Sequence, residues 1–221
     1  GDGRYLVNMA EEVFTLSNDT VLDTEALATT VQKRMPLYDK SQDGHYNLIS
    51  ALHKSLRGSD ADAALYGFAR MLAGGEGSTY ILRRLVRFAS EDIGLADPQA
   101  LPQSIAAWEA FDRLGSPEGE LAVAQCVMYL ATAPKSNASY KAEKSAKKSA
   151  PETGSLMHPK HILNAPTKLM SELGYGEGYA YDHDAEDGFS GQNYFPEEMQ
   201  RSRFYNPEGK GFEREIVKRL E

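Results

Sequence analysis

Between Ser59 and Pro134 almost every apolar run opens on a helix-capping residue and closes on Gly or Pro, with the apolar positions recurring every three or four residues. Period and punctuation together specify consecutive α-helices and little else. Ser59 precedes Ala64, Leu65, Phe68, Ala69 and Leu72, closed by Gly74-Gly75, and Ser78 precedes Ile81, Leu82, Leu85, Val86 and Ala89. Asp97-Pro98 and Ser116-Pro117 set a capping residue ahead of Pro at the first helical position, where the missing N–H costs nothing. One helix then carries Leu101, Ile105, Trp108 and Phe111 to Gly115, and the next carries Leu121, Ala124, Val127 and Leu130 as far as Pro134.

The same reading extends both ways. Leu6, Met9, Ala10 and Val13 form one stripe over Arg4 to Leu16, Asp23 or Thr24 caps a helix with Leu27 and Val31, and Met35 to Gly44 is a polar connection. Asp43 then caps a helix with Leu48, Ile49, Leu52 and Leu56 that ends at Gly58. Asp60 and Asp97 are likewise caps before they are acids. With no sustained β-branched alternation, the expected fold is all-α, an antiparallel helical bundle with short loops.

At Lys141 the texture changes. Residues 141–153 are Lys, Ala, Ser and Glu with almost no large apolar group, a solvated helix end or flexible linker dividing two regions. Thr167 to Leu173 makes a short helix. Residues 172–200 hold eight acids and no Lys or Arg, with Tyr175, Tyr179, Tyr181, Phe189, Tyr194 and Phe195 among glycines. The expectation is an irregular Gly- and aromatic-rich segment held on the helical body by its aromatic side chains, then a terminal helix from Phe212 to Leu220.

Charge and cysteine content narrow the function. The 24 Lys plus Arg against 32 Asp plus Glu, net −8, argue against coating nucleic acid through bulk charge but leave room for a local basic face. A single cysteine, Cys126, excludes an intramolecular disulfide and a multi-cysteine zinc site, and points to a reducing compartment. The most apolar stretch, Leu121 to Ala133, is broken by Gln125 and falls short of the roughly 20 residues that span a bilayer, so no membrane association is expected. Gly1 to Ala10 has no export-signal character.

Chemical motifs are sparse. The phosphate loop G-x-x-x-x-G-K-[ST] is absent, and Gly74-Gly75-Glu76-Gly77 reads as a turn between helices. His158 and His161 have no third ligand at a diagnostic spacing. In Asp182, Asp184 and Glu186 the glycine of a calcium loop comes one residue late, and Asn193 stands where the terminal Glu is required. Ser145-Ala146-Lys147-Lys148 is a chance match in a Ser/Lys tract, and Cys126 reads as a buried thiol. The basic groups carry more: Arg83, Arg84 and Arg87 lie within two turns, with Arg70 from the preceding helix within reach, and form either a phosphate-binding face or an ion-pair network with Glu91, Asp92 or another helix. Lys135 begins a second basic stretch through Lys148.

Four strings carry a resemblance: Leu48-Ile-Ser-Ala-Leu-His-Lys-Ser55, Ala89-Ser-Glu-Asp-Ile-Gly-Leu-Ala-Asp-Pro98, Ala133-Pro-Lys-Ser-Asn-Ala138 and Asn164-Ala-Pro-Thr-Lys-Leu-Met170. In this order they resemble the carboxy-terminal half of the replication-associated recombination protein A family, also called MgsA, whose eukaryotic relatives are the Werner helicase-interacting ATPases. Gly1-Asp2-Gly3-Arg4 resembles the start of that family's AAA+ lid helix. The resemblance implies a fragment: residues 1–47 finish the lid, residues 48–221 form the oligomerisation domain, and the catalytic motifs lie upstream. It implies no catalysis and no cofactor for the fragment, ATP and Mg for the parent ATPase, and Arg4 as a sensor-2-like contact to the ATP γ-phosphate. Arg83, Arg84, Arg87 and Lys135 become candidate contacts to DNA or to the ATPase core. The implied partners are further copies of the chain in a homotetramer, DNA at replication forks and a single-stranded DNA-binding protein, in the cytoplasm at the nucleoid. A free-standing helical nucleic-acid binder or hydrolase is the alternative.

Overall fold

The computed structural model describes residues 23–24 and 42–221. Among these residues there are eight α-helices and no strand, the all-α fold expected. Arg4, the helix expected over Arg4 to Leu16, and nearly all of the one after Asp23 lie outside the described residues.

The chain divides into two compact units, one ending at Tyr140 and resuming at Pro207–Glu221, the other Lys141–Asn206. The change of texture at Lys141 marks this division; the return of the chain to the first unit after Asn206 has no sequence signal.

In the first unit, α1 (Gln42–Arg57), α2 (Ala61–Ala73), α3 (Ser78–Phe88), α4 (Ala100–Leu114) and α5 (Glu120–Thr132) surround one core. The α5 helix is its hub and packs against each of the other four. Leu52 and Leu56 of α1, Phe68 and Met71 of α2, Leu82, Leu85 and Phe88 of α3, and Val123, Val127 and Leu130 of α5 are buried. At roughly 1.5–3 kcal/mol for each large side chain removed from water, these contacts dominate the stability of the unit.

Several helix starts differ by one to three residues from the sequence reading. Asp43 falls inside the first turn of α1 instead of before it. The helix closes in a Schellman motif, with Ser59 N–H on Leu56 O at 3.1 Å and Asp60 N–H on Ser55 O at 3.0 Å. The left-handed residue there is Ser59 (φ 59°), not the preceding Gly58, because the helix runs to Arg57. Asp60 is then free to cap α2, accepting from Ala63 N–H at 2.9 Å. Ser78 is the first residue of α3 and makes no cap bond. Pro98 and Pro117 lie in turns ahead of α4 and α5, since Asp97 accepts from Gln99 N–H at 3.0 Å and closes a tight turn, while Ser116 bonds the Glu120 carboxylate.

A π-turn, Ala89–Ile93, continues α3 and buries Ala89 and Ile93. It ends at Gly94 (φ 53°), where a Cβ would come within 3.1 Å of Ser139 Oγ, so the chain passes close to the start of the helix that follows α5. That helix, α6 (Ala138–Thr153), begins in the first unit and continues into the second, its Lys-rich part a solvated helix. The last helix, α8 (Glu213–Leu220), docks through Phe212 N–H on Ala96 O at 2.8 Å. Its approach needs Gly211 (φ 50°), which lies directly against Ala96 O and Pro134.

The second unit is built on local polar bonds. Thr167 caps α7 (Lys168–Glu172) through Met170 N–H at 3.3 Å. Asp182 gathers Ser190 N–H (2.9 Å), Ser190 Oγ (2.6 Å) and Tyr194 OH (3.0 Å), and these donors hold its carboxyl below the usual range. Gln192 closes the loop on both backbone groups of Ala180. Of the aromatic residues expected to fasten this segment, Tyr179, Tyr181, Phe189 and Tyr194 are exposed. The carboxylate and amide of Asp182 and Gln192 organise the loop in their place.

Candidate functional site

On α3 the outward positions carry Arg83, Arg84 and Arg87, all exposed, as the spacing predicts. They do not act as one network. Arg87 Nε pairs with Glu91 at 2.6 Å, with its guanidinium 6.0 Å from the centre of the Tyr140 ring. Asp92, the second acid proposed for that network, is taken by Arg57 of α1: Nε–Oδ1 is 2.6 Å and the second nitrogen lies 3.2 Å from Oδ2. The π-turn makes this pairing available by carrying Asp92 toward α1. Arg70 lies over the ring of Tyr66 at 5.9 Å. Arg83 and Arg84 make no ion pair among the described residues.

Lys135 has a different role from a surface cation. Its ammonium donates to Ala133 O at 2.5 Å, Ala131 O at 2.8 Å and Ser59 Oγ at 3.2 Å, which uses its three donors. It neutralises the negative end of α5 and ties it to the turn after α1. Burial lowers its pKa, against the pull of Asp92.

Arg84 faces a hollow of about 430 Å³ between α1 and α3, with Lys54 and Arg57 as its other cations and no acid in its lining among the described residues. Ile49 and His53 lie deeper, and Tyr46, 61% exposed, belongs to the same lining. His53 Nε2 is shut off from solvent without a hydrogen-bond partner, and the ring meets Phe88 edge-on with centroids 5.6 Å apart. Burial, then the field of Arg84, lowers its pKa to about 4, against Asp92 and Glu91. His53 is therefore neutral near pH 7. The composition of the lining suits an anionic ligand. Sequence reasoning found Arg84 but missed His53, Lys54 and Arg57, since each reads as an ordinary position of an amphipathic helix.

Cys126 is buried, hydrogen-bonds Ser104 Oγ at 3.7 Å, and has its thiol pushed up to about 11 by burial, the inert state expected of it. Among the described residues no group of three or more His, Cys, Asp or Glu is placed to hold a metal ion, and no helix is long and apolar enough to cross a membrane.

Of the four strings that single out this chain, Leu48–Ser55 lies inside α1 and the other three are junctions. Ala89–Pro98 makes the π-turn and delivers Asp92 to Arg57 and Asp97 to Tyr129, whose hydroxyl donates at 2.6 Å. Ala133–Ala138 holds Lys135 and Ser136, and Asn164–Met170 caps α7. Such joints, together with the cationic hollow, define an all-α helical module. The chain belongs to the family described as MgsA AAA+ ATPase C terminal, whose profile matches residues 58–221, while an AAA C-terminal domain profile matches residues 1–57. It is 47% identical over its whole length to replication-associated recombination protein A of Coxiella burnetii, and 45% identical to the protein of that name from Escherichia coli K12. ATPase WRNIP1 of Dictyostelium discoideum is 45% identical over 91% of this chain and 23% of its own length. The chain spans 51% of each of those two bacterial relatives, about half their length.

Proposed function

We propose that this chain is the non-catalytic assembly module of a clamp-loader-like AAA+ ATPase that works in replication-fork maintenance and recombination. The observation that carries the reading is the surface of α5. Between Leu121 and Thr132 the helix has no charged residue, yet Leu121 is 74% and Met128 40% exposed. An uncharged helix face that leaves large apolar side chains in water, here Leu121 and Met128 with Gln125 between them, is normally covered, and further copies of the chain supply that cover in a homotetramer. Sedimentation equilibrium of the chain at tens of micromolar tests this: a tetramer mass is expected, and a monomer overturns it.

The boundary between lid and assembly domain is proposed near residue 47. Supporting it, Ile49, Leu52 and Leu56 of α1 belong to the common core, although the two family profiles meet ten residues later, at 57/58. ATP and Mg belong to the parent ATPase, with Arg4 as the contribution of this chain to the γ-phosphate site. The residues present form no phosphate loop. In the full-length protein Arg4→Ala should lower ATP turnover at least tenfold and leave the assembly intact. Arg83 and Arg84, with Arg87 partly committed to Glu91, are the proposed contacts to fork DNA or to the ATPase core; the bonds of Lys135 favour an internal role for it. Charge reversal at Arg83 and Arg84 should weaken DNA binding and flatten its salt dependence by roughly one unit per lost contact. A single-stranded DNA-binding protein as partner and a cytoplasmic, nucleoid-associated location complete the proposal.

A further inference from the structure

We infer that the hollow between α1 and α3 seats one unstacked nucleotide of single-stranded DNA, its phosphate held by Lys54 and Arg84 and its base laid against Tyr46. The inference rests on the DNA-contact reading of the α3 arginines and narrows it to a class of substrate.

Three observations converge on it. The first is charge. In a chain of net charge −8, the hollow is lined by Lys54, Arg57 and Arg84 and, among the described residues, by no acid. The acids whose fields reach His53 are already engaged, Asp92 by Arg57 and Glu91 by Arg87. The field of Lys54 and Arg84 is thus left for an anion from outside. The second is the orphaned nitrogen of His53. A polar atom buried without a partner is unfavourable, and the ring that carries Nε2 belongs to the lining of the hollow, so a small rotation of it would offer the nitrogen to a ligand. As a neutral imidazole it can accept from or donate to a base edge. The third is Tyr46, whose exposed ring belongs to the same lining. Every base has a π-face, so stacking on Tyr46 would be tolerant of sequence, but only an unpaired base offers that face. The volume, about 430 Å³, falls within the range of roughly 300–1,000 Å³ usual for small-ligand sites.

The test is fluorescence anisotropy of the chain with three labelled probes of equal length: oligothymidylate, an abasic strand and a duplex. Tyr46→Ala should weaken oligothymidylate binding about fivefold or more and leave the abasic strand and duplex unchanged. Tyr46→Phe, which keeps the ring, should restore binding, which separates stacking from loss of fold. Arg84→Glu should weaken all three probes. If Tyr46→Ala leaves oligothymidylate unaffected while Arg84→Glu weakens every probe, the nucleotide seat is wrong and the phosphate contact stands. If no probe binds, or binding ignores Arg84, the DNA-contact reading fails as well. Displacement of a Tyr46-dependent acidic peptide by no DNA probe would assign the hollow to a protein partner and overturn the inference.

Discussion

Ser136 Oγ donates to Glu213 at 2.9 Å in the interior of the first unit, where Glu213 is fully buried and its other oxygen accepts Glu208 N–H at 2.8 Å. Ser136 lies just before the chain enters the second unit at Lys141, and Glu213 just after it returns at Pro207. The pair therefore clasps the outgoing and returning segments, and α8 is held by a buried carboxylate more than by its own apolar residues.

Removing that carboxylate leaves a buried hydroxyl and a backbone N–H without an acceptor. Glu213→Ala should cost about 3 kcal/mol by urea denaturation, and early proteolytic cuts should fall within residues 207–221. Glu215→Ala, at an exposed acid paired with Lys218 at 2.9 Å, should change stability by no more than about 0.5 kcal/mol. Equal losses in the two variants would show that the clasp contributes nothing special.

Ser59 occupies a left-handed conformation (φ 59°) that costs most side chains about 1–2 kcal/mol, offset in part by the bond from Lys135. Ser59→Gly should therefore raise Tm by about 1–3 °C, while Ser59→Val lowers it. A fall in Tm for the glycine variant would mean that the Lys135 contact outweighs the backbone strain.

These two sites mark how far the sequence could be read. Periodicity found α1 to α5 because their buried faces repeat at helical spacing, and Cys126 was legible for the same reason. Gly58-Ser59 misled by one position, since a Gly at a helix end is expected to be the left-handed residue and here the next residue takes that conformation. The π-turn has no compositional mark, so the pairing of Asp92 with Arg57, and with it the hollow, stayed hidden. Glu213 looks like any acid in the first turn of an amphipathic helix; its burial depends on Ser136, 77 residues away. Lys135 read as a member of a basic run because its acceptors are backbone carbonyls.

His53 gives the molecule a defined acid response. Its folded pKa of about 4 lies below the ordinary 6.5, with burial the main cause and Arg84 next, so the unfolded chain binds more protons between these values. Its contribution to stability is complete above pH 6.5 and is lost as pH falls toward 4. After allowance for the partial exposure of the ring, the loss should be of the order of 1–2 kcal/mol. Urea titrations at pH 7 and pH 4.5 should show a smaller drop for His53→Gln than for the unaltered chain. An equal drop would place the acid sensitivity elsewhere.

The assembly proposal makes its sharpest demand on α5. Its inward face, Val123, Val127 and Leu130, is fixed in the core, so polar substitutions there would unfold the protein and say nothing about assembly. Leu121 and Met128 lie seven residues apart on the opposite face, both exposed, and a charge at either should cost the single chain little. Inside an interface, the same charge loses its water and finds no partner, a penalty of several kcal/mol. Leu121→Glu combined with Met128→Glu should therefore leave the helical circular dichroism and the urea midpoint at low concentration close to those of the unaltered chain. Sedimentation equilibrium at tens of micromolar should report a lower mass. A variant that retains the parent mass would remove this face of α5 from the interface.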